Sequence, residues 1–212
     1  MQIVIALFDR FTALDAVGPH QVLHHLSDAD VIFASERVHG VSDESRTLTL
    51  QAQASYADVP RPDIIVIPGG PGQAGQMTGP LPDWLVEADK TSTWTTSVCT
   101  GSLILAGAGL LKDRKATTNW QAQEELGRLG ATPRPGERYV FDGKYVTAAG
   151  VSAGIDMALA LAGRLAGDAE AERIQLALEY DPRPPYQSGS PATARPEVVA
   201  QMMAASRFAR QG

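Results

Sequence analysis

A single cysteine, Cys99, stands in 212 residues, so an intramolecular disulfide is excluded. Histidine is almost as scarce. His20, His24, His25 and His39 all fall in the first fifth of the chain, none at zinc spacing from a second ligand type, so no metal site is expected. Basic residues are outnumbered 18 to 24 by acidic ones, giving a net charge of −6. A chain of that sign has no overall field to hold nucleic acid or an anionic membrane surface, and neither is expected as a partner. No apolar run approaches the roughly 18 residues that a spanning helix needs. The opening MQIVIALFDRF lacks a basic n-region and meets Asp9 and Arg10 after a short apolar stretch, which predicts no secretory leader. With a lone thiol, that points to a reducing cytoplasm.

What is present is an ordinary soluble composition, 44% hydrophobic and 20% charged. The length suits one domain over residues 1–212, with no internal repeat and no linker. QIVIALF (2–8) and DIIVIPGG (63–70) are continuous apolar runs, as expected of strands buried on both faces of a parallel sheet. VIFAS (31–35) and TWTTSV (93–98) read as strands, TLTLQAQA (47–54) as a half-buried one and KATT (115–118) as a short one. Between them lie helical stretches around 20–26, 81–89, 100–111 and 121–129. Asp142-Gly143 marks a hairpin, and helices are predicted over 153–166 and 169–180. Residues 181–212 form a tail rich in Pro, Gly and Ser, ending in a short helix from about Glu197 to Arg210. Alternating strands and helices of this kind predict an α/β fold: a flavodoxin-like, doubly wound, mostly parallel sheet sandwiched between helices.

In such sheets ligands bind beyond the carboxyl ends of the strands. Asp15, Gly69-Gly70 and Cys99 all follow strands in that sense. Cys99, in TTSVCTGS, sits where a β-branched strand meets small residues and then a helix, the logic of a nucleophile held on a sharp elbow. A thiol at a helix N-terminus can fall from a pKa of about 8.5 into the range of roughly 3.5–7.5. The plainer alternative is a small buried hydrophobe. Asp15, taken alone, reads as a helix N-cap. PGGPG (68–72) offers amides able to face a developing negative charge, or else a plain tight turn. It lacks the Lys and Ser/Thr of a phosphate loop, so no nucleotide cofactor is expected. His24 and His25 read as solvated helix residues.

The segments LFDRFTALDAVGPHQVL, DIIVIPGGPG, TSVCTGSLILAGAGLLKDRKATTNW, GVSAGIDMALAL and IQLALEYDPRPPYQSGSP together resemble the ThiJ/PfpI superfamily of amidotransferase-like, flavodoxin-type domains. Within it they resemble the isocyanide hydratases most. The resemblance runs from the first strand to about Pro191. It implies a homodimer acting on a small molecule without a cofactor. Cys99 would be the nucleophile, Asp15 the acid contacting the thiol, and Thr100 the residue whose amide and hydroxyl face the substrate. Gly69 and Gly70 would form the turn over the same pocket, and Asn119, Trp120, Val151 and Ser152 would be its walls. Many members carry a histidine after the ATT strand, where this chain has Asn119; a Cys–His pair of the protease type then lacks its base, and His20 is expected to point elsewhere.

A thiolate, a proton donor and no histidine suit hydration of an isocyanide to an N-substituted formamide. Two rivals use the same thiol: a glyoxalase- or deglycase-type enzyme on reactive carbonyls, and a non-catalytic redox sensor in which Cys99 is oxidised. A transcriptional regulator is disfavoured, since residues 181–212 cannot supply a helix-turn-helix module.

Overall fold

The computed structural model describes residues 1–209. Its elements run β1 (Gln2–Ala6), α1 (Ala13–Leu23), β2 (Asp30–Ser35), β3 (Gly40–Ser42), β4 (Thr49–Gln51), β5 (Ala54–Ser55), β6 (Ile64–Ile67), α2 (Pro80–Ala88) and β7 (Trp94–Val98). There follow α3 (Gly101–Gly107), β8 (Lys115–Ala116), α4 (Gln123–Arg128), β9 (Thr132–Pro133), β10 (Tyr139–Asp142), β11 (Tyr145–Ala148), α5 (Ala153–Ala166), α6 (Asp168–Ala177) and α7 (Pro196–Ala204). Seven strands make the central sheet in the order β10-β11-β7-β6-β1-β2-β5. Every neighbouring pair is parallel except the β10–β11 hairpin. The sheet is mostly parallel and flanked by helices, as the sequence pattern implied.

The middle of the sheet explains the apolar runs. Ile3, Val4, Ile5 and Ala6 on β1 and all four residues of β6 are fully buried, which requires cover on both faces. β7 is different: Thr95, Thr96 and Ser97 are buried and polar. Thr96 Oγ1 donates to the Ile65 carbonyl at 2.9 Å, and Thr95 Oγ1 to Asp89 Oδ1 at 2.6 Å. Asp89 also accepts from the Tyr145 hydroxyl at 2.9 Å and pairs with Lys144 at 3.1 Å, which ties the N-terminal ends of β7 and β11 together. Helix α1 lies along α5 so closely that a Cβ on Gly18 would come within 3.1 Å of Ile155.

Several expected boundaries move for local reasons. The 47–54 alternation is not one strand. The chain turns at the buried Ala52, β4 pairs with β3 in a separate hairpin, and β5 joins the main sheet beside β2. The 100–111 helix stops at Gly107 and passes into turns through Gly109, whose φ is +80°. The first helix begins at Ala13, well before His20, and Thr12 is its N-cap; Asp15 is a first-turn residue and not the cap. Only Lys115–Ala116 of KATT is extended, paired with β9. The terminal helix runs over Pro196–Ala204, and the expected end at Arg210 lies outside the described residues. No helix among the described residues is long and apolar enough to cross a membrane.

The β7–α3 corner passes directly over the end of β6. A Cβ on Gly101 would collide with the Ile67 carbonyl and lie 2.8 Å from that of Pro68, so only glycine lets the chain through. Gly101→Ala should therefore cost about 1–3 kcal/mol, as overpacking does, read as a lower urea midpoint. Gly75→Ala, where an added Cβ meets nothing, should leave that midpoint in place.

Candidate active site

Cys99 follows β7 at φ +55°, a left-handed conformation that L residues seldom adopt. The surroundings hold it there. Its amide donates to the carbonyls of Ala148 and Ala149 at 3.1 and 2.9 Å, and its own carbonyl accepts from Ser102 Oγ and Thr118 Oγ1 at 3.1 and 2.9 Å. A second strained residue stands beside it. Val151, β-branched, has φ +36°. Both conformations persist because neighbouring structure over-determines them, the pattern expected where strain serves a site.

Asp15 is fully buried in the first turn of α1. Its Oδ2 accepts from the Gly69 amide at 2.8 Å, and its Oδ1 has no N–H or O–H partner. The Cys99 thiol is the side chain whose hydrogen bonding favours the Asp15 carboxylate. Gly69 is required by this closeness, since a Cβ there would sit 2.5 Å from Thr100 N and 3.0 Å from Asp15 Oδ2.

Burial pushes the Asp15 carboxyl up to about 7, the Gly69 amide pulling against it and the nearby Glu44 charge adding to it. The Cys99 thiol is pushed up to about 12, by burial first and then by the Asp15 charge; the amides of Thr100 and Val151 and the Asn119 side chain oppose this. The lowered thiol pKa expected at a helix N-terminus is thus overturned. Enclosure and a neighbouring carboxylate outweigh a seven-residue helix. The two groups titrate as a pair that holds two protons well below pH 7 and one proton above it. When that proton rests on Asp15, the sulfur is a thiolate facing two amides and a carboxamide.

The PGGPG amides are not free to meet a substrate. Gly69 N is held by Asp15, Gly70 N donates to Thr100 Oγ1 at 3.0 Å, and Gly72 N donates to the Arg10 carbonyl at 3.1 Å. The anion-facing role expected for that loop passes to the amides of Thr100 and Val151, and the Thr100 hydroxyl is occupied by the glycine turn. Asn119 fills the place after the ATT strand. Its Oδ1 accepts from Gln121 N at 3.0 Å while its side chain also reaches the thiol.

Cys99, 6% exposed, opens onto a cleft of ≈ 400 Å³. Gly70, Thr100, Asn119 and Val151 line it with the thiol, as do Thr12 and Glu44. Trp120 and Ser152, expected as walls, line a neighbouring cavity of ≈ 520 Å³ instead, since the 118–120 and 150–152 loops turn them outward from the thiol. Gly69 lies behind the pocket, bonded to Asp15. His20 is away from the site, stacked on Phe33 at 5.0 Å between ring centroids. Met202, Ser206, Arg207 and Phe208 also line the thiol cleft, and no local pattern in the tail marked them. The segment is tied down by Gln121 Nε2, which donates to the Met202 carbonyl at 2.8 Å. Among the described residues no group of three His, Cys, Asp or Glu side chains could hold a metal ion.

The raised Asp15 pKa makes a stability statement. The folded state holds this proton more tightly than the unfolded chain, whose carboxyl titrates near 3.8. The contribution is therefore complete below that value and is lost as pH rises through about 7. Asp15→Asn, which keeps an acceptor for Gly69 N, should narrow the fall in Tm between pH 5 and pH 8. Calorimetry of the two proteins at both pH values measures it, and equal falls would contradict the burial argument.

The chain is similar to several known proteins. The DJ-1/PfpI family model matches residues 1–164. An isonitrile hydratase of Pseudomonas putida is 41% identical over 200 residues, covering 94% of this chain and 87% of that protein. A crystal structure of a ThiJ/PfpI family protein from Pseudomonas syringae superposes with a TM-score of 0.93 at 32% identity, over 98% of this chain and 87% of that one. Drosophila melanogaster DJ-1beta shares the fold at a TM-score of 0.77 and 20% identity, over 85% of this chain and 98% of that one. A thiol at φ +55° against a buried acid, on a sheet that superposes so fully, belongs to a chain of the DJ-1/PfpI family, homologous to isonitrile hydratase.

Proposed function

We propose that the protein is a cofactor-free hydratase that converts isocyanides to N-substituted formamides through Cys99. The observation that carries this reading is the buried Asp15–Cys99 pair in a chain 41% identical to an isonitrile hydratase. Asp15 takes the thiol proton on Oδ1, the oxygen without an N–H or O–H partner, while Gly69 N anchors Oδ2. The Cys99 thiolate attacks the terminal isocyanide carbon and forms the C–S bond. Asp15 returns the proton to that carbon, which leaves a thioimidate on the sulfur.

Asp15, now a carboxylate, accepts a proton from a water molecule as its oxygen adds to the same carbon, and passes that proton to nitrogen. Collapse of the adduct breaks the C–S bond. The formamide departs and the remaining hydroxyl proton restores the protonated pair, so the net change is addition of one water. The amides of Thr100 and Val151 and the carboxamide of Asn119 hold the sulfur while it is charged. The ≈ 400 Å³ cleft suits a small substrate.

We read residues 1–212 as one domain that works in the cytoplasm, with no nucleic-acid or membrane partner, in keeping with the net charge of −6. A second copy is the expected partner. Leu176 and Tyr186 are 81% and 79% exposed, large apolar side chains that one chain leaves bare. Light scattering should give twice the mass of the 22.5 kDa chain, and a monomer at micromolar concentration would remove this part of the reading.

The central test is formamide production from an aryl or alkyl isocyanide. Wild type should yield product, Cys99→Ala none, and Asp15→Asn about 10²- to 10⁴-fold less. The working form of the pair has lost one proton, so kcat/KM should rise with pH through about 7. Turnover of methylglyoxal without formamide would transfer the thiol chemistry to carbonyl substrates.

A further inference from the structure

The thiol cleft contains a cation that the chemistry above leaves without a role. Arg207 follows α7 and lines the cleft with Cys99. Its Nη1 donates to the Pro71 carbonyl at 2.7 Å, and its Nη2 to the Gly70 carbonyl at 3.2 Å and to Gln73 Oε1 at 3.1 Å. All three acceptors are neutral. Arg207 is an exposed residue whose Nη2 hydrogen bonds are partly buried, and it forms no ion pair among the described residues. A cation held on neutral acceptors at the rim of a cleft attracts an anion that forms within it. Two anions can stand at this cleft, the Glu44 carboxylate and the Cys99 thiolate. Glu44 accepts from Thr12 Oγ1 at 3.2 Å and forms no ion pair with Arg207, which leaves the thiolate.

We propose that Arg207 is the counter-ion of the Cys99–Asp15 pair, a positioning residue from the C-terminal segment that pins the Gly70–Pro71 turn and draws the pair's single negative charge onto sulfur. The direction follows from placement. Arg207 shares the cleft with the sulfur, whereas Asp15 is fully buried behind Gly69 and does not line it. The Cys99 charge is also the interaction that opposes the cost of burying the guanidinium.

The other charged groups fit the same arrangement. Glu44, held by Thr12 Oγ1 at 3.2 Å, lines the cleft, and its charge acts on Asp15, favouring the proton there. Arg10 acts on Arg207 as a like charge, discouraging any closer approach to the opening loop. Thr100, Val151 and Asn119 contribute neutral donors to the sulfur. The Glu44 charge acting on Asp15 and the guanidinium acting on the thiol therefore push the shared proton the same way. The guanidinium also grips the Gly70 carbonyl, on the residue whose amide holds Thr100, so one side chain sets both the field and the wall.

This inference rests on the thiol-dependent reading above, but its test needs no isocyanide. The rate of Cys99 alkylation by iodoacetamide is followed from pH 5 to pH 10 in wild type, Arg207→Met and Arg207→Lys. Cys99 is the only thiol, so the signal has one source. In Arg207→Met the midpoint for thiolate appearance should move up by about one pH unit, a tenfold loss of thiolate at a fixed pH on the rising limb. Arg207→Lys, which keeps the charge but loses the forked hydrogen bonds, should return most of that shift. A profile scaled equally at every pH with its midpoint unmoved would mean that Arg207 only closes the cleft, and would overturn the proposal. So would a Lys variant that behaves like Met. If these shifts appear while no isocyanide is hydrated, the counter-ion assignment stands and the hydratase reading falls alone.

Discussion

A carboxyl group and a thiol, enclosed together with one proton between them, set the terms for the surrounding structure. Two charges cannot be held side by side in so dry a place, and two protons would leave nothing nucleophilic. The geometry serves that single constraint. Gly69 has no Cβ because Thr100 and Asp15 stand where it would go, and its amide fixes one carboxyl oxygen so that the other can carry the proton. Cys99 and Val151 are held in backbone conformations that L residues avoid, and this aims the Val151 and Thr100 amides at the sulfur. The left-handed turns act against stability, and the paired, buried strands of the sheet are what hold them.

Enclosure also decides how the thiol ionises. At an open helix N-terminus a thiol would be ionised by the backbone dipole alone. Here desolvation outweighs a helix of seven residues, and ionisation depends on a partner that takes the proton. The glycine-rich loop illustrates the same economy. Its amides are committed to Asp15, Thr100 and Arg10, so it shapes the pocket without touching what enters it.

Much of this was legible in the sequence where one residue type answers one physical demand. QIVIALF and DIIVIPGG are apolar without interruption because strands covered on both faces admit nothing else. Asp15 and Cys99 stood out because each follows a predicted strand of the sheet, QIVIALF and TWTTSV. TLTLQAQA misled because alternation persists across a bend, and no single residue in it announces that Thr49–Gln51 and Ala54–Ser55 belong to different sheets. Trp120 and Ser152 were misplaced because adjacency to Asn119 and Val151 does not tell which side of a loop a side chain takes. Arg207 left no trace in the pattern. Its acceptor on Pro71 lies 136 positions away, a separation that only the folded chain closes.

The two ends of the central sheet carry one more consequence. At one edge β5 is two residues long, too short to template another strand. At the other, β10 ends in Asp142, whose carboxylate is engaged by the Lys115 amide at 2.7 Å and paired with Arg114 at 3.6 Å. Neither margin offers a long row of open backbone groups. Growth of the sheet from molecule to molecule is thereby discouraged, because neither edge presents a ladder that a second chain could extend.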